Sequence, residues 1–213
     1  MQTQKGGLYR DVVVKILTDE NATRDSILEG LDWIEREMTS KDIAMVFLAG
    51  HGINDSNTRY FFVPHNFNLD RIASTGVSFT AIQSTIEALA GKTVFFVDTC
   101  HSGNILGTAR SRAFDVDGFV KEISATENGA VVFTASTGRQ VSLEDKEWNN
   151  GAFTKALIEG LTGKAEIPGK GKITINSLDF YISERVKELT KGRQTPTTAK
   201  PGNVADFPIA VKQ

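Results

Sequence analysis

Two short, continuous apolar stretches constrain the fold of this chain more than any other feature. They are Ile43–Ala49 (IAMVFLA) and Thr93–Asp98 (TVFFVD). Both are far too short to span a membrane, and neither alternates between polar and apolar residues as a half-buried strand would. Such stretches are typical of strands buried on both faces, as in a parallel sheet. We therefore expect both at the centre of a sheet that helices cover.

Helices and strands are predicted to alternate along the rest of the chain. Apolar residues at helical spacing with capping residues indicate helices, and β-branched or aromatic clusters indicate strands. The predicted helices are Thr23–Met38, Ser78–Leu89, Asn150–Leu161 and Ser177–Leu189. The further predicted strands are Asp11–Leu17, Arg59–Val63, Ala130–Ala135 and Phe207–Val211. The predicted loops are Gly103–Gly129 and Pro196–Gly202. This alternation predicts one layered α/β domain around a mainly parallel sheet.

Charge and cysteine content exclude several classes of protein. The formal net charge is −2 and no long run of Lys or Arg is present, so nucleic acid is not an expected partner. One cysteine rules out a disulfide within the chain. The opening residues lack an apolar core, so we expect neither a signal peptide nor a membrane span. Together with the unpaired cysteine, this favours a cytoplasmic protein.

Glycine-flanked reactive residues follow both apolar stretches. The first runs into Gly50-His51-Gly52, and the second into Cys100 and a later glycine, Gly103. The carboxyl ends of parallel strands meet at one edge of a sheet, so His51 and Cys100 should lie close together. A histidine can take the proton of a thiol or hold the thiolate as an ion pair. Alone, each residue would more often be a polar loop residue or a packing residue; the pair predicts a nucleophile and its base.

The backbone beside these residues fits acyl transfer. The N–H groups of Gly52 and Cys100 are candidate donors to the oxyanion of a tetrahedral intermediate. The glycines on both sides of His51 and Gly103, three residues after Cys100, let substrate approach the backbone closely.

These motifs resemble those of the caspase-like peptidases, most of all the metacaspases and bacterial orthocaspases. Thr93–Gly103 (TVFFVDTCHSG) resembles their nucleophile segment, and Phe47–Gly52 (FLAGHG) resembles the strand that ends at their histidine. The two residues are 49 apart, near the caspase spacing of about 50. Later blocks with the same order are AVVFTASTGRQ (130–140), NGAFTKALIEGL (150–161), Gln194-Thr195-Pro196 and FPIA (207–210).

The resemblance implies a caspase-like α/β/α sandwich and a cysteine endopeptidase with a Cys100–His51 dyad. It divides the single domain, 1–213, into a large-subunit-like part over about 1–107, a linker loop over 108–129 and a small-subunit-like part over 130–213. Protein or peptide substrates with basic residues are the expected partners. Asp98 would hold a substrate Arg or Lys, with Arg favoured by its two-pronged geometry. The alternative is that Asp98 caps a neighbouring loop.

Two more substrate-binding positions are implied. Ala49 stands where many metacaspases have a serine, so one hydrogen bond to a basic substrate side chain would be lost. Ser136 lies in the small-subunit-like block. In the linker, Arg110, Arg112 and Lys121 are candidate self-cleavage sites, or residues of an ordinary solvated loop.

The chain also departs from the family. The strand and helix that normally open the fold have no counterpart here, so the first strand is expected to be missing or supplied by an N-terminal segment or an adjoining domain. No metal site is assigned: many metacaspases are activated by calcium, but no spacing of oxygen ligands for calcium is present. The alternative function is an inactive or truncated caspase-like interaction module, and a third is a transpeptidase with the same dyad.

Overall fold

The computed structural model describes residues 1–57, 59–101, 130–135, 143–145 and 150–212. Its strands are β1 (Ile43–Asn54), β2 (Tyr60–Val63), β3 (Val77–Ser78), β4 (Lys92–His101), β5 (Val131–Thr134), β6 (Glu144–Asp145), β7 (Asn150–Gly151), β8 (Lys172–Thr174), β9 (Thr197–Ala199) and β10 (Pro208–Val211). Its α-helices are α1 (Arg24–Glu37), α2 (Ile72–Thr75), α3 (Phe79–Ala88), α4 (Ala152–Glu159) and α5 (Ile175–Thr190).

Side chains at the helix starts explain where the main helices begin. The Thr23 hydroxyl accepts a hydrogen bond from the Ser26 N–H at the start of α1, and Ser78 does the same for Ala81 in α3. At α5, Thr174 and Ser177 form a reciprocal capping box. Each cap satisfies an N–H group that would otherwise lack a partner in the first turn. The predicted helix starts at Thr23 and Ser78 agree with these caps.

The central sheet is mixed, with parallel strands at its centre. Its six strands lie in the order β3-β2-β1-β4-β5-β9. The pairs β1–β4 and β4–β5 are parallel, whereas β2, β3 and β9 are added antiparallel towards the edges. Two two-stranded sheets, β8–β10 and β6–β7, complete the described strands. Helices cover both faces, so the predicted layered α/β/α class is confirmed.

Alternate residues of β4 supply the two cores. Val94 and Phe96 pack with α4 and α5, whereas Phe95 and Val97 pack with α1 and α3. Val94 and Phe95 are completely buried. Thr93–Asp98 is therefore a strand buried on both faces, as the sequence predicts.

β1 differs from that prediction. Ile43–Ala49 does form a strand, but Phe47 in its middle is 47% exposed. Over residues 43–50, β1 pairs with β4 on one edge, and no described residue pairs with its other edge; β2 joins only from His51 onwards. The expectation of burial on both faces was wrong because no described strand covers this edge of β1 over residues 43–50.

The predicted strand Asp11–Leu17 is also wrong. These residues form no strand, and Val13 and Ile16 are 73% and 72% exposed. A β-branched stretch becomes a strand only when a neighbouring strand exchanges backbone hydrogen bonds with it, and no strand in the described part of the chain does so. The prediction of a loop at Pro196–Gly202 is wrong for the opposite reason: residues predicted to be a loop include a strand, β9, which pairs with the edge of β5.

The chain before this segment docks against β10. The buried Gln4 side chain exchanges two hydrogen bonds with the backbone of Val211, at 3.0 and 2.7 Å. The Tyr9 hydroxyl donates to the carbonyl of Ile209 at 2.9 Å. The opening residues are therefore held against β10 and not against β1.

Candidate active site

The carboxyl ends of β1 and β4 bring the two predicted reactive residues together. In the parallel register of these strands, His51 is the partner of Cys100. Both residues belong to the strands themselves, which continue to Asn54 and His101, and not to loops after them. The His51 side chain is exposed. The strand register thus places the backbone of His51 directly beside that of Cys100.

The same register brings Ala49 beside Asp98 and Gly52 beside His101. Ala49 is exposed, whereas Asp98 is only 9% exposed. Four of the predicted site residues therefore lie at adjacent positions on two strands: Ala49, His51, Asp98 and Cys100. This compactness follows directly from the parallel pairing.

The residue before His51 is a glycine in a position where a side chain would not fit. Gly50 has φ of +152°, and a Cβ there would lie 2.9 Å from the Phe62 ring. A side chain at this position would be strained by both conformation and contact. The absence of a side chain at Gly50 therefore leaves room for the Phe62 ring beside β1, one residue before His51.

Gly52 is buried against an aromatic side chain that the sequence motifs did not single out. A Cβ at Gly52 would overlap the phenol ring of Tyr60. The Tyr60 hydroxyl donates to the Thr99 hydroxyl at 3.2 Å, and its ring makes an edge contact with Phe79, with centroids 4.9 Å apart. Tyr60 thus contacts both β1 and β4 close to His51 and Cys100. Only the register of the β1–β2 hairpin could have revealed this contact.

The Asp98 carboxylate lies under the start of α4. The Thr154 hydroxyl donates a hydrogen bond to Asp98 Oδ2 at 2.5 Å. A Cβ on Gly151, the residue before the helix, would lie 3.0 Å from the same oxygen. Burial of a carboxylate is tolerated when it accepts hydrogen bonds of this kind. The sequence motifs did not point to Thr154, because the contact joins distant parts of the chain.

Gln194 fixes the strand end and loop that precede α4. Its buried amide donates to the Ala135 carbonyl at 2.7 Å and accepts from the Leu143 N–H at 2.8 Å. The Leu143 carbonyl in turn accepts from the N–H of Ala152, the first residue of α4, at 2.9 Å. This chain of hydrogen bonds fixes the start of the helix that contacts Asp98.

Several predicted residues lie outside the described part of the chain. They are Ser136, Arg110, Arg112 and Lys121. Among the residues that are described, no group of three or more His, Cys, Asp or Glu side chains is placed to hold a metal. Asp55 beyond β1 instead accepts from the backbone of Asn57 and Arg59 and pairs with the Arg59 guanidinium at 2.7 Å. No helix in the described ranges is long and apolar enough to cross a membrane.

Comparison with solved structures shows a related fold. Protein GSU0716 from Geobacter sulfurreducens superposes with a TM-score of 0.66 at 16% sequence identity, over 96% of this chain and 84% of that chain. At this identity the likeness concerns the fold alone. Among curated proteins, no sequence relative is found.

The sequence profile of one peptidase family, that of the caspase domain, matches residues 8–207. The matched range contains β1, β4 and the strand ends that bring His51 and Cys100 together. Because the match covers nearly all of the 213 residues, this chain belongs to the caspase domain family.

Proposed function

We propose that this chain is a cysteine endopeptidase that hydrolyses peptide bonds after Arg or Lys. Membership of the caspase domain family supports a caspase-like peptidase. The observation that carries the proposal to particular residues is the pairing of His51 with Cys100 in the parallel register of β1 and β4. The resemblance of both strand ends to the metacaspase motifs assigns them as base and nucleophile.

The reaction proceeds through an acyl-enzyme. His51 takes the thiol proton, and the Cys100 sulfur attacks the carbonyl carbon of the scissile bond. The N–H groups of Gly52 and Cys100 are the proposed donors to the resulting oxyanion. The imidazolium then gives its proton to the leaving amine as the C–N bond breaks. Water, deprotonated by His51, attacks the thioester and releases the acid product and the thiol.

Asp98 is the proposed determinant of basic specificity. A carboxylate two residues before the nucleophile would pair with a substrate guanidinium or ammonium and repel an acidic side chain. Its register partner Ala49 is exposed, which is compatible with a substrate side chain entering beside it. The hydrogen bond from Thr154 suits a pocket carboxylate as well as the alternative role, in which Asp98 holds a neighbouring segment.

The linker supplies candidate substrates for such an enzyme within its own chain. Arg110, Arg112 and Lys121 are residues of the type after which it would cut. Self-cleavage after these residues remains part of the proposal, and mass spectrometry of the purified protein after incubation tests it.

One observation favours the alternative, an inactive caspase-like interaction module. The edge of β1 over residues 43–50 has no partner among the described residues, and Phe47 on it is 47% exposed. This edge is where an additional strand, from an N-terminal segment or an adjoining domain, would pair. If the active arrangement depends on that strand, the isolated chain would bind partners without turning over substrate.

Covalent labelling distinguishes the two functions. We expect an Arg-containing acyloxymethyl ketone peptide to alkylate the native protein at Cys100, the only cysteine, with a mass increase equal to the bound probe. A matched Asp-containing probe serves as the comparison, and the His51→Ala variant should label far more slowly. Equal, slow labelling of the native and urea-unfolded protein would reject the peptidase and favour the interaction module.

A further inference from the structure

The geometry points to Thr154 as a positioning residue that orients the Asp98 carboxylate for a substrate guanidinium. This inference rests on the proposed function, because it assumes that Asp98 faces the first substrate side chain. It adds a residue from α4 to a site otherwise built from β1 and β4. It also attributes the preference for Arg over Lys to the hydrogen bond between Thr154 and Asp98.

The contact between Thr154 and Asp98 is short, and its donor has little freedom to rotate. The Thr154 hydroxyl donates to Asp98 Oδ2 at 2.5 Å, within the range of a charge-assisted O–H···O bond. Threonine is β-branched, so its χ1 angle in a helix is restricted and its hydroxyl has few alternative directions. Gly151 lies close to the same oxygen, since a Cβ built there would lie 3.0 Å from it. The carboxylate is therefore held in one orientation.

The local charge arrangement supports the same role. Thr154 lies in the first turn of α4, whose N-cap Gly151 provides no side-chain cap and whose first turn has no acidic residue. The partial positive charge of a helix start favours a nearby anion, and Asp98 from β4 occupies that position. The Gln194–Leu143–Ala152 hydrogen bonds anchor this helix start. Asp98 thus meets a fixed donor on a fixed element.

Orientation matters more for Arg than for Lys. A guanidinium is planar and bonds a carboxylate through two parallel N–H groups, so it benefits from a carboxylate held in one plane. An ammonium behaves as a compact point charge and tolerates rotation of the carboxylate. Removal of the Thr154 hydroxyl should therefore weaken recognition of Arg more than recognition of Lys.

Peptide hydrolysis provides the first test. Thr154→Val removes the hydroxyl at nearly constant volume, and Thr154→Ser keeps it. We expect Thr154→Val to lower kcat/KM for an Arg peptide about tenfold, mainly through KM, and for the Lys peptide about threefold or less. Thr154→Ser should restore the Arg preference. Equal losses on both peptides in the valine variant would overturn the inference, since a general structural defect would act in that way.

A binding measurement separates failure of this inference from failure of the proposed function. Calorimetry of benzamidine and butylamine with Cys100→Ala protein requires no turnover. The inference predicts that benzamidine binds more tightly than butylamine, that adding Thr154→Val weakens benzamidine binding about tenfold, and that Thr154→Ser does not weaken it. These results would support the inference even if peptides are not cleaved. Unchanged binding in the valine variant, or no binding of benzamidine to either protein, would overturn it. If the wild type cleaves peptides but does not bind benzamidine, the proposed peptidase activity is supported and the proposed role of Thr154 is rejected.

Discussion

At the scale of single residues, the candidate site depends on close contacts around the proposed dyad. The Tyr60 ring occupies the space that a side chain at position 52 would fill. The Tyr60 hydroxyl donates a hydrogen bond to the Thr99 hydroxyl on β4. The contact fixes β2 against the two strands that carry His51 and Cys100. Gly52 is therefore required by packing as well as by its proposed role in the oxyanion hole.

Gly52→Ala should lower the free energy of unfolding by about 2 kcal/mol or more, because the added methyl group displaces the buried Tyr60 ring. Urea denaturation followed by tryptophan fluorescence measures the change. Gly202→Ala is the matched control, since a Cβ there meets no atom within 4 Å. A similar loss in both variants would contradict the packing argument.

The sequence points to some site residues and not to others for a physical reason. His51, Cys100 and Asp98 follow apolar stretches, so the rule that parallel strands end at one edge is enough to bring them together. Tyr60 and Thr154 reach the site through hairpin register and through packing of a distant helix. Neither relation leaves a local pattern in the sequence.

At the scale of elements, one carboxylate links α4 to α5. Glu159 at the end of α4 accepts hydrogen bonds from Arg185 and Tyr181 of α5, each at 2.8 Å, and forms an ion pair with Lys164 at 3.2 Å. Burial by itself raises the pKa of this carboxyl, but its hydrogen bonds and positive neighbours outweigh that effect and lower the pKa to about 2. Glu159 thus stabilises the helix pair behind the candidate site.

Glu159→Gln should destabilise the protein by about 1–2 kcal/mol at neutral pH, an amount reduced by the exposure of the lysine partner. Because the pKa is lower in the folded protein, the stabilisation is present above about pH 4.5 and is lost as the pH falls towards 2. Urea unfolding at pH 7 and pH 3 should show a smaller difference from the wild type at pH 3. If the difference in unfolding free energy between Glu159→Gln and the wild type is the same at both pH values, the argument is contradicted. The control variant is Glu184→Gln, on the exposed face of α5.

Helices were more predictable than strands in this chain. Caps and apolar spacing are local, so α1 and α3 begin where Thr23 and Ser78 indicate. Strands need partners from elsewhere. Asp11–Leu17 has strand-like residues but no neighbouring strand, whereas Thr197–Ala199 lacks a strong pattern and still pairs with β5.

At the scale of the whole molecule, the described residues leave one edge of β1 without a partner strand over residues 43–50. β1 has the composition of a central strand, yet over residues 43–50 only β4 pairs with it among the described residues. An apolar strand with an open edge is a template for pairing with another chain. The protein should therefore associate with itself as its concentration rises.

Phe47→Lys should reduce this association while changing the free energy of unfolding by less than about 0.5 kcal/mol, because a charge at an exposed edge position hinders strand pairing without disturbing the core. Sedimentation velocity at several concentrations measures the effect. Phe180→Lys is the matched control: Phe180 is 73% exposed, but it lies on α5 and not on a strand edge. An equal effect of both variants would show that general hydrophobicity, not the β1 edge, causes association.

Hydrolysis of matched fluorogenic peptides ending in Arg, Lys or Asp tests the central claim most directly. The proposed dyad and pocket predict turnover of the Arg and Lys peptides, loss of roughly a thousandfold or more in Cys100→Ala, and loss of the basic preference in Asp98→Asn. Turnover of the Asp peptide would contradict the assignment of Asp98. Turnover that persists unchanged in Cys100→Ala would contradict the cysteine mechanism itself.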